Sequence, residues 1–272
     1  MKKILYLFLL LLIGCSKVEK PQSNQKPLVA VSIPSYLFFV KKIAGDTVEV
    51  KNLIPAGADP HHFEPTPKHL DLAIKTSLWF CSSEHFEKEF LPLILPYNKN
   101  LQVCNLTENI PLIEKDLHLW LSPKIAILQA EKIASVLEKK FPENKELYQK
   151  NLKKLVQEIQ KTDLEIQAKL KKTNNRTILV SHKAFSYFCA DYDIKQLSVE
   201  NDSHEPNLKT IYHLLKEAKK EKVQKVFIQA QVDNKGALII AKELKVAPFM
   251  VDPYSADYLE NLKKIADIIA EE

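Results

Sequence analysis

The central segment of the chain, residues 143–172, contains neither glycine nor proline. Apolar side chains recur there at spacings of three, four and seven, the pattern of one narrow stripe along an α-helix; they occupy positions 148, 152, 155, 156, 159, 166 and 170. Such a helix would be roughly 45 Å long. Because charged side chains cover most of its remaining surface, we predict a rigid linking helix between two lobes. The alternative is a coiled-coil dimer seam, for which only about four heptads are available.

Strand-like and helix-like patterns alternate on both sides of this segment. Residues 28–34 form an apolar run bounded by prolines, which is typical of a buried parallel strand. Further strands are predicted at 48–54, 78–81, 101–106, 178–182, 195–199, 223–229 and 246–252. Repeated alternation of this kind implies parallel sheets with right-handed crossovers. We therefore predict an α/β fold with two Rossmann-like lobes, 28–142 and 173–272, each a parallel sheet flanked by helices.

The amino terminus has the pattern of an export signal. Two lysines precede the apolar residues 4–13, a run too short to span a bilayer as a mature helix. The run ends in Leu-Ile-Gly-Cys15, which resembles the bacterial lipobox, in which the cysteine carries the lipid. Residues 1–14 are thus predicted to be a lipoprotein signal peptide, and the polar residues 15–27 a flexible tether. We expect an exported protein, lipid-anchored to a membrane facing the periplasm or cell surface; the alternative is a secretion signal with a chance cysteine.

Charge and cysteine content narrow the possible partners. The formal net charge is +5, and loss of residues 1–14 removes two lysines and leaves +3. This balance is too weak and too scattered to indicate a nucleic-acid partner. With Cys15 lipidated, three cysteines remain, and Cys81 and Cys104 fall in predicted buried strands. We expect free thiols in the core rather than a disulfide.

Four potential metal ligands follow or end predicted strands. His61 lies in the proline-rich loop 57–67, and His118, His182 and Asp252 occur at nearly even intervals further along. Ligand sites of open α/β sheets collect at the carboxyl ends of the strands. Three imidazoles and a carboxylate would make a closed set of ligands for a divalent transition metal. These residues therefore predict a metal site in the cleft between the lobes.

Four motifs occur in order along the chain. They are Asp-Pro-His-His-Phe-Glu-Pro-Thr-Pro at 59–67, Asp-Leu-His-Leu-Trp-Leu-Ser-Pro at 116–123, Ser-His-Lys-Ala-Phe-Ser-Tyr-Phe at 181–188 and Val-Asp-Pro at 251–253. Together with the lipobox and the linking helix, they resemble the zinc- and manganese-binding receptors of bacterial ABC importers. The resemblance implies a receptor that binds a bare metal ion between two lobes and hands it to a membrane permease. It also implies His61, His118, His182 and Asp252 as the ligands.

Three departures from that family's pattern leave the four ligands in place. Leu117 stands where the family often has proline, and Gln229 where it often has glutamate. Ser82 and Ser83 replace a turn that contains glycine. The expected cargo is zinc, with manganese or iron as alternatives, and the expected partners are the permease subunit and, through the anchor, the membrane. We expect a monomer that is not an enzyme.

Other polar residues near these motifs are predicted to support the site. We assign hydrogen-bonding roles behind the ligands to His62, Glu64, Glu205 and Gln229. Whether His85 or His204 reaches the metal from the cleft mouth is left open. His69 and His213 lie in predicted helices and are expected at the surface.

Two functions of other classes compete with metal capture. In a zinc hydrolase, three histidines would leave a position open for metal-activated water, with Glu64 or Glu205 as the base. Against it, Asp252 would close that position, and no His-Glu-x-x-His pattern occurs. A receptor for haem or iron chelates needs apolar or cationic pocket walls, and no such set converges on these loops. A surface adhesin role is also left open.

Overall fold

Two parallel sheets of four strands form the framework of the protein. The structure is a computed structural model that describes residues 25–200 and 207–271. The first half comprises β1 (Leu28–Val31), α1 (Pro34–Ala44), β2 (Glu49–Asn52), α2 (Pro67–Ile74), β3 (Leu78–Cys81), α3 (His85–Ile94), β4 (Gln102–Asn105) and α4 (Pro123–Lys140). The long helix α5 (Lys145–Leu170) follows. The second half comprises β5 (Thr177–Val180), α6 (Ser186–Tyr192), β6 (Lys195–Ser198), α7 (Leu208–Lys220), β7 (Lys225–Gln229), α8 (Lys235–Leu244), β8 (Pro248–Val251) and α9 (Tyr258–Ala270).

Both sheets have the same strand order. The first runs β2-β1-β3-β4 and the second β6-β5-β7-β8, with every pair of neighbours parallel. The central strands β3 and β5 are buried at every position, as their continuous apolar sequences require, whereas the edge strand β2 alternates between exposed and half-buried residues. The predicted α/β fold of two parallel sheets flanked by helices is confirmed.

Helix α5 occupies the predicted linking segment and packs against both halves. It contacts α1 and α4 of the first half of the chain and α9 of the second half. Leu155, Ile159 and Ile166 on its apolar stripe are almost fully buried. The stripe is therefore covered within the chain, and it is not available as a coiled-coil seam. The helix is also more embedded than a bare connection between lobes, because one of its faces belongs to the core.

One apolar core extends from the first sheet across to the second half. It includes residues of β1 and α1 as well as of β5 and α9. Tyr258 of α9 packs its ring on Phe39 of α1 with 4.7 Å between the centroids, and its hydroxyl donates to the carbonyl oxygen of Trp120 at 2.7 Å. A smaller core lies between β5, β6, β7 and the helices α7 and α8. The division of the chain at residues 142 and 172 stays a prediction.

Several local predictions can be compared with the described residues. Cys81, Cys104 and Cys189 are buried free thiols, as expected. Within 25–200 and 207–271, no helix is both long and apolar enough to cross a membrane. The predicted signal peptide, the lipidated Cys15 and most of the tether lie outside the described residues.

Candidate metal centre

His61 lies on a short turn in the loop that follows β2, nine residues beyond the end of the strand. Asp59 fixes this turn, since its Oδ1 accepts a hydrogen bond from the backbone N–H of His61 at 2.9 Å. Pro60 begins the 3-10 turn 60–62 and is buried. Proline restricts the backbone at this point, and the aspartate caps the turn. The backbone that carries the His61 side chain is therefore held in one conformation.

His118 and His182 lie in the segments that follow strands of different sheets, His118 thirteen residues beyond β4 and His182 two residues beyond β5. His118 follows β4, and Asp116 Oδ1 accepts its backbone N–H at 2.8 Å. His182 follows β5, and its carbonyl oxygen accepts a hydrogen bond from Gln229 Nε2 at 3.0 Å. Gln229, at the end of β7, thereby connects two neighbouring strands of the second sheet.

The three imidazoles converge on one point between the sheets. Their ring centroids are 4.9–5.4 Å apart. One nitrogen from each ring lies within 4.8 Å of the other two. His61 Nε2 and His182 Nε2 approach to 3.1 Å. Among the described residues, His61, His118 and His182 therefore form a compact set, as their positions after strands predicted.

A carboxylate stands behind each ring. Nδ1 of His61 lies 3.0 Å from Glu84 Oε2, Nδ1 of His118 lies 2.7 Å from Asp116 Oδ1, and Nδ1 of His182 lies 3.1 Å from Glu200 Oε2. An ionised carboxylate only accepts hydrogen bonds, so each neutral ring carries its proton on Nδ1. Each Nε2 then presents a lone pair to the common point. Imidazoles that bind metal are commonly oriented by such carboxylates.

This arrangement fits a cation better than it fits an ion-free core. Two lone pairs 3.1 Å apart, those of His61 and His182, repel unless a proton or a cation lies between them. In a tetrahedral zinc site with Zn–N distances near 2.0–2.1 Å, neighbouring nitrogens are about 3.3 Å apart. The observed separation is close to that value. The residues present are thus chemically and geometrically suited to hold a divalent ion.

Burial and charge act differently on two of the histidines. For His61, burial lowers the pKa, but the hydrogen bond and charge of Glu84 outweigh this effect and leave the pKa raised. For His118, complete burial outweighs the charge of Asp116 and leaves the pKa below its usual value. His118 is therefore neutral at physiological pH, and His61 holds a proton more readily than His118 does.

The loop after β8 adds Tyr254 to the site. Its hydroxyl lies 2.6 Å from His118 Nε2 and 3.3 Å from His61 Nε2. Asp252, two residues earlier, is half-buried, and its Oδ1 accepts hydrogen bonds from Gln231 Nε2 at 2.8 Å and from the Tyr254 N–H at 3.0 Å. The structure does not include Asp252 in the compact set of the three histidines. Its role as the fourth ligand stays a prediction.

None of the other predicted site residues that the structure describes belongs to the compact set of the three rings. His62 is exposed and pairs with Asp59 Oδ2 at 2.6 Å, and His85 is exposed on α3 near Glu89. Glu64 is exposed. Glu205 and His204 lie outside the described residues. His69 was expected at the surface, but it is half-buried and closes a capping box with Thr66 at the start of α2.

Sequence reasoning missed the residues that orient the imidazoles. Asp116 had a recognisable signal, because it precedes His118 by two positions, just as Asp59 precedes His61. Glu84 follows β3 and Glu200 follows β6, so both obey the strand-end rule that located the histidines. Tyr254 had no such signal, since a tyrosine after Asp-Pro is compatible with an ordinary core position.

Comparison with known proteins shows the family to which this chain belongs. Residues 29–272 match the family model described as ZnuA, the periplasmic component A of a zinc-uptake complex. The chain belongs to the ZnuA family. The match extends across both sheets, the linking helix and all three converging histidines.

Individual relatives of this ZnuA-family chain agree with that assignment. A Chlamydia trachomatis protein named for metal binding is 30% identical over 280 residues, which cover 98% of this chain and 99% of the relative. The manganese ABC transporter substrate-binding lipoprotein PsaA of Streptococcus pneumoniae is 28% identical, with 98% and 99% covered. A crystal structure of ZnuA superposes with a TM-score of 0.87 at 31% identity, covering 90% of this chain and 98% of that one.

Proposed function

We propose that this protein captures a divalent transition-metal ion, zinc in preference to manganese or iron, outside the cytoplasmic membrane and delivers it to an ABC permease. The observation that carries the proposal is the convergence of three Nε2 lone pairs, each fixed by a carboxylate on Nδ1. Neutral imidazole is a common ligand of zinc, whereas manganese prefers more oxygen donors. Membership of the ZnuA family and a relative named as a substrate-binding lipoprotein support the same function.

In this proposal Asp252 supplies the fourth donor. Asp252 is half-buried and lies on the same loop as Tyr254, whose hydroxyl contacts His118 and His61. To bind an ion, Oδ1 exchanges its hydrogen bond from Gln231 for a bond to the metal. Both carboxylate oxygens could bind, which would raise the coordination number and admit manganese or iron. The ligand set therefore specifies that a divalent metal ion is bound more strongly than it specifies which metal ion is bound.

The purified mature protein is expected to bind one equivalent of zinc and to bind it more tightly than manganese. His182→Glu should narrow the difference, because it exchanges an imidazole for a harder oxygen donor. A glutamate at this position would lie beside Glu200, and the two carboxylates would repel each other. The double variant His182→Glu/Glu200→Gln removes this repulsion and serves as the matched form. Competition titration with both ions measures the outcome. Manganese outcompeting zinc on the unaltered protein would contradict the prediction.

A zinc hydrolase is the competing function, and the position of Asp252 outside the compact set is the observation that favours it. Such an enzyme needs a free base beside a metal-bound water. The carboxylates nearest the rings, Glu84, Asp116 and Glu200, are instead engaged with Nδ1 atoms, and the predicted base Glu64 is exposed. Absence of turnover in a screen of esters, peptides and phosphoesters with the zinc-loaded protein is expected.

The anchor is proposed to keep the receptor at the membrane next to the permease. Cys15→Ser should abolish lipid attachment and release the protein, because a lipobox cysteine is the site that carries the acyl chains and one or more buried chains supply the membrane affinity. Metal affinity should not change, since Cys15 precedes the described fold. Fractionation with a radiolabelled fatty acid measures attachment, with Cys189→Ser as a control. Persistent labelling of the Cys15 variant would exclude this residue as the anchor.

A further inference from the structure

Tyr254 is fixed in place beside the metal ligands by its own packing. Its side chain is almost fully buried, and its ring lies 5.2 Å from that of His118 and 5.4 Å from that of Trp120. The backbone on both sides is also held. The Tyr254 N–H donates to Asp252 Oδ1, and the preceding carbonyl oxygen, that of Pro253, accepts from Trp120 Nε1 at 2.8 Å. This packing holds the hydroxyl beside His118 in the ion-free protein.

The direction of the hydrogen bond between Tyr254 and His118 follows from the partner of the other ring nitrogen. His118 Nδ1 donates to Asp116, so Nε2 can only accept. The Tyr254 hydroxyl must then be the donor in the 2.6 Å contact. That hydrogen bond uses the lone pair of His118 that a metal ion requires.

The hydroxyl also lies near a second ring of the set, that of His61. Its 3.3 Å distance to His61 Nε2 is close to the roughly 3.3 Å edge of a tetrahedral zinc site. Its distance to His118 Nε2 is shorter than such an edge, because a proton rather than a metal ion lies between the two atoms. A ligand from Asp252 would approach the same side of the site, since both residues belong to the loop after β8.

We propose that the Tyr254 hydroxyl is an internal competitor of the metal ion for His118. This inference rests on the proposed function. On binding, the O–H···Nε2 hydrogen bond breaks and the hydroxyl withdraws with its proton, and a bond between Nε2 and the metal forms in its place. On release, the hydroxyl binds Nε2 again, so the departing ion does not leave a buried lone pair without a partner. Tyr254 thus lowers affinity and makes the ion easier to hand over.

Tyr254→Phe removes the competing donor while it preserves the ring and its packing. A net hydrogen bond of ordinary strength predicts that zinc affinity rises roughly 2- to 10-fold. Release of zinc to an excess of chelator should slow by a similar factor. The melting temperature of the ion-free variant should fall, because His118 loses its partner, and zinc should then raise it by more than in the unaltered protein. Tyr254→Leu, which also lacks the hydroxyl, should change affinity in the same direction and serves as the second variant.

Tyr148→Phe is the matched control. Tyr148 is buried on α5, and its hydroxyl bonds Thr47 Oγ1 at 2.9 Å rather than a histidine of the site. Its replacement should lower stability without a change in zinc affinity or release rate. A fall in zinc affinity in Tyr254→Phe would overturn the proposal and identify the hydroxyl as a ligand, and an unchanged affinity would also overturn it. Failure of the unaltered protein to bind zinc or manganese would instead overturn the proposed function.

Discussion

Replacement of His118 by alanine is expected to abolish high-affinity zinc binding. The ring is almost fully buried within the converging set, and Asp116 holds it in the tautomer that presents Nε2 to the ion. No described neighbour offers another imidazole in its place. The same loss is expected for His61→Ala and His182→Ala, because a site with so few ligands depends on each of them. Calorimetric titration of zinc into each ion-free variant measures the effect.

The carboxylates behind the rings should give a smaller, graded loss. Asp116→Asn keeps the shape of the side chain but weakens the orientation of His118, and a loss of roughly 10- to 100-fold is expected for a partner of this kind. His213→Ala is the control, since His213 is exposed on α7. His69 is a poorer control because it caps α2. Equal losses in His213→Ala and the ligand variants would contradict the assignment of the ligands.

Glu87→Gln is expected to remove a pH-dependent loss of stability in the ion-free protein. Burial raises the pKa of Glu87 from 4.5 to about 7. The folded state therefore holds this proton more tightly than the unfolded state does. The stabilisation is complete below the unfolded pKa, near pH 4.5, and is lost as the pH rises through about 7. A shift of this size corresponds to about 3 kcal/mol of free energy of unfolding.

Glutamine preserves the local hydrogen bonds of Glu87. Oε1 accepts from the N–H and the hydroxyl of Ser82, and an amide oxygen can accept both. Urea unfolding at pH 5 and pH 8 should therefore show a smaller decrease in stability for Glu87→Gln than for the unaltered protein. Glu89→Gln, at an exposed position of the same helix, is the control. Parallel pH dependence in Glu87→Gln and the unaltered protein would refute the role of Glu87.

The fold was predictable because its periodicities are local. The apolar runs of β1 and β3 and the stripe on α5 each lie within one continuous segment of the chain. Pro123 likewise indicates the start of the helix 123–140. The three histidines were predictable because parallel strands place their carboxyl ends at one edge. Each of these signals needs only the order of residues along the chain.

The environment of the histidines was less predictable because it depends on packing between distant segments. Glu84 reaches His61 across a separation of 23 residues, and Tyr254 reaches His118 across 136. Glu64 was a plausible partner by proximity in sequence, but the turn at Pro60 leaves it exposed. Asp252 illustrates the same limit. Its position after β8 is as predicted, yet its hydrogen bonds depend on Gln231 of a different loop.

The apolar core shared by the two halves affects how empty and loaded receptors would compete for the permease. Because α5 and the contact between Phe39 and Tyr258 hold the sheets together, we expect ion binding to change little of the outer surface. Under the proposed function, empty and loaded receptors would then dock on the transporter with similar affinity, and the empty form would act as a competitive inhibitor. At a fixed supply of metal, a cell that makes too much of this protein would slow its own uptake, so the ratio of receptor to transporter becomes a quantity that must be regulated.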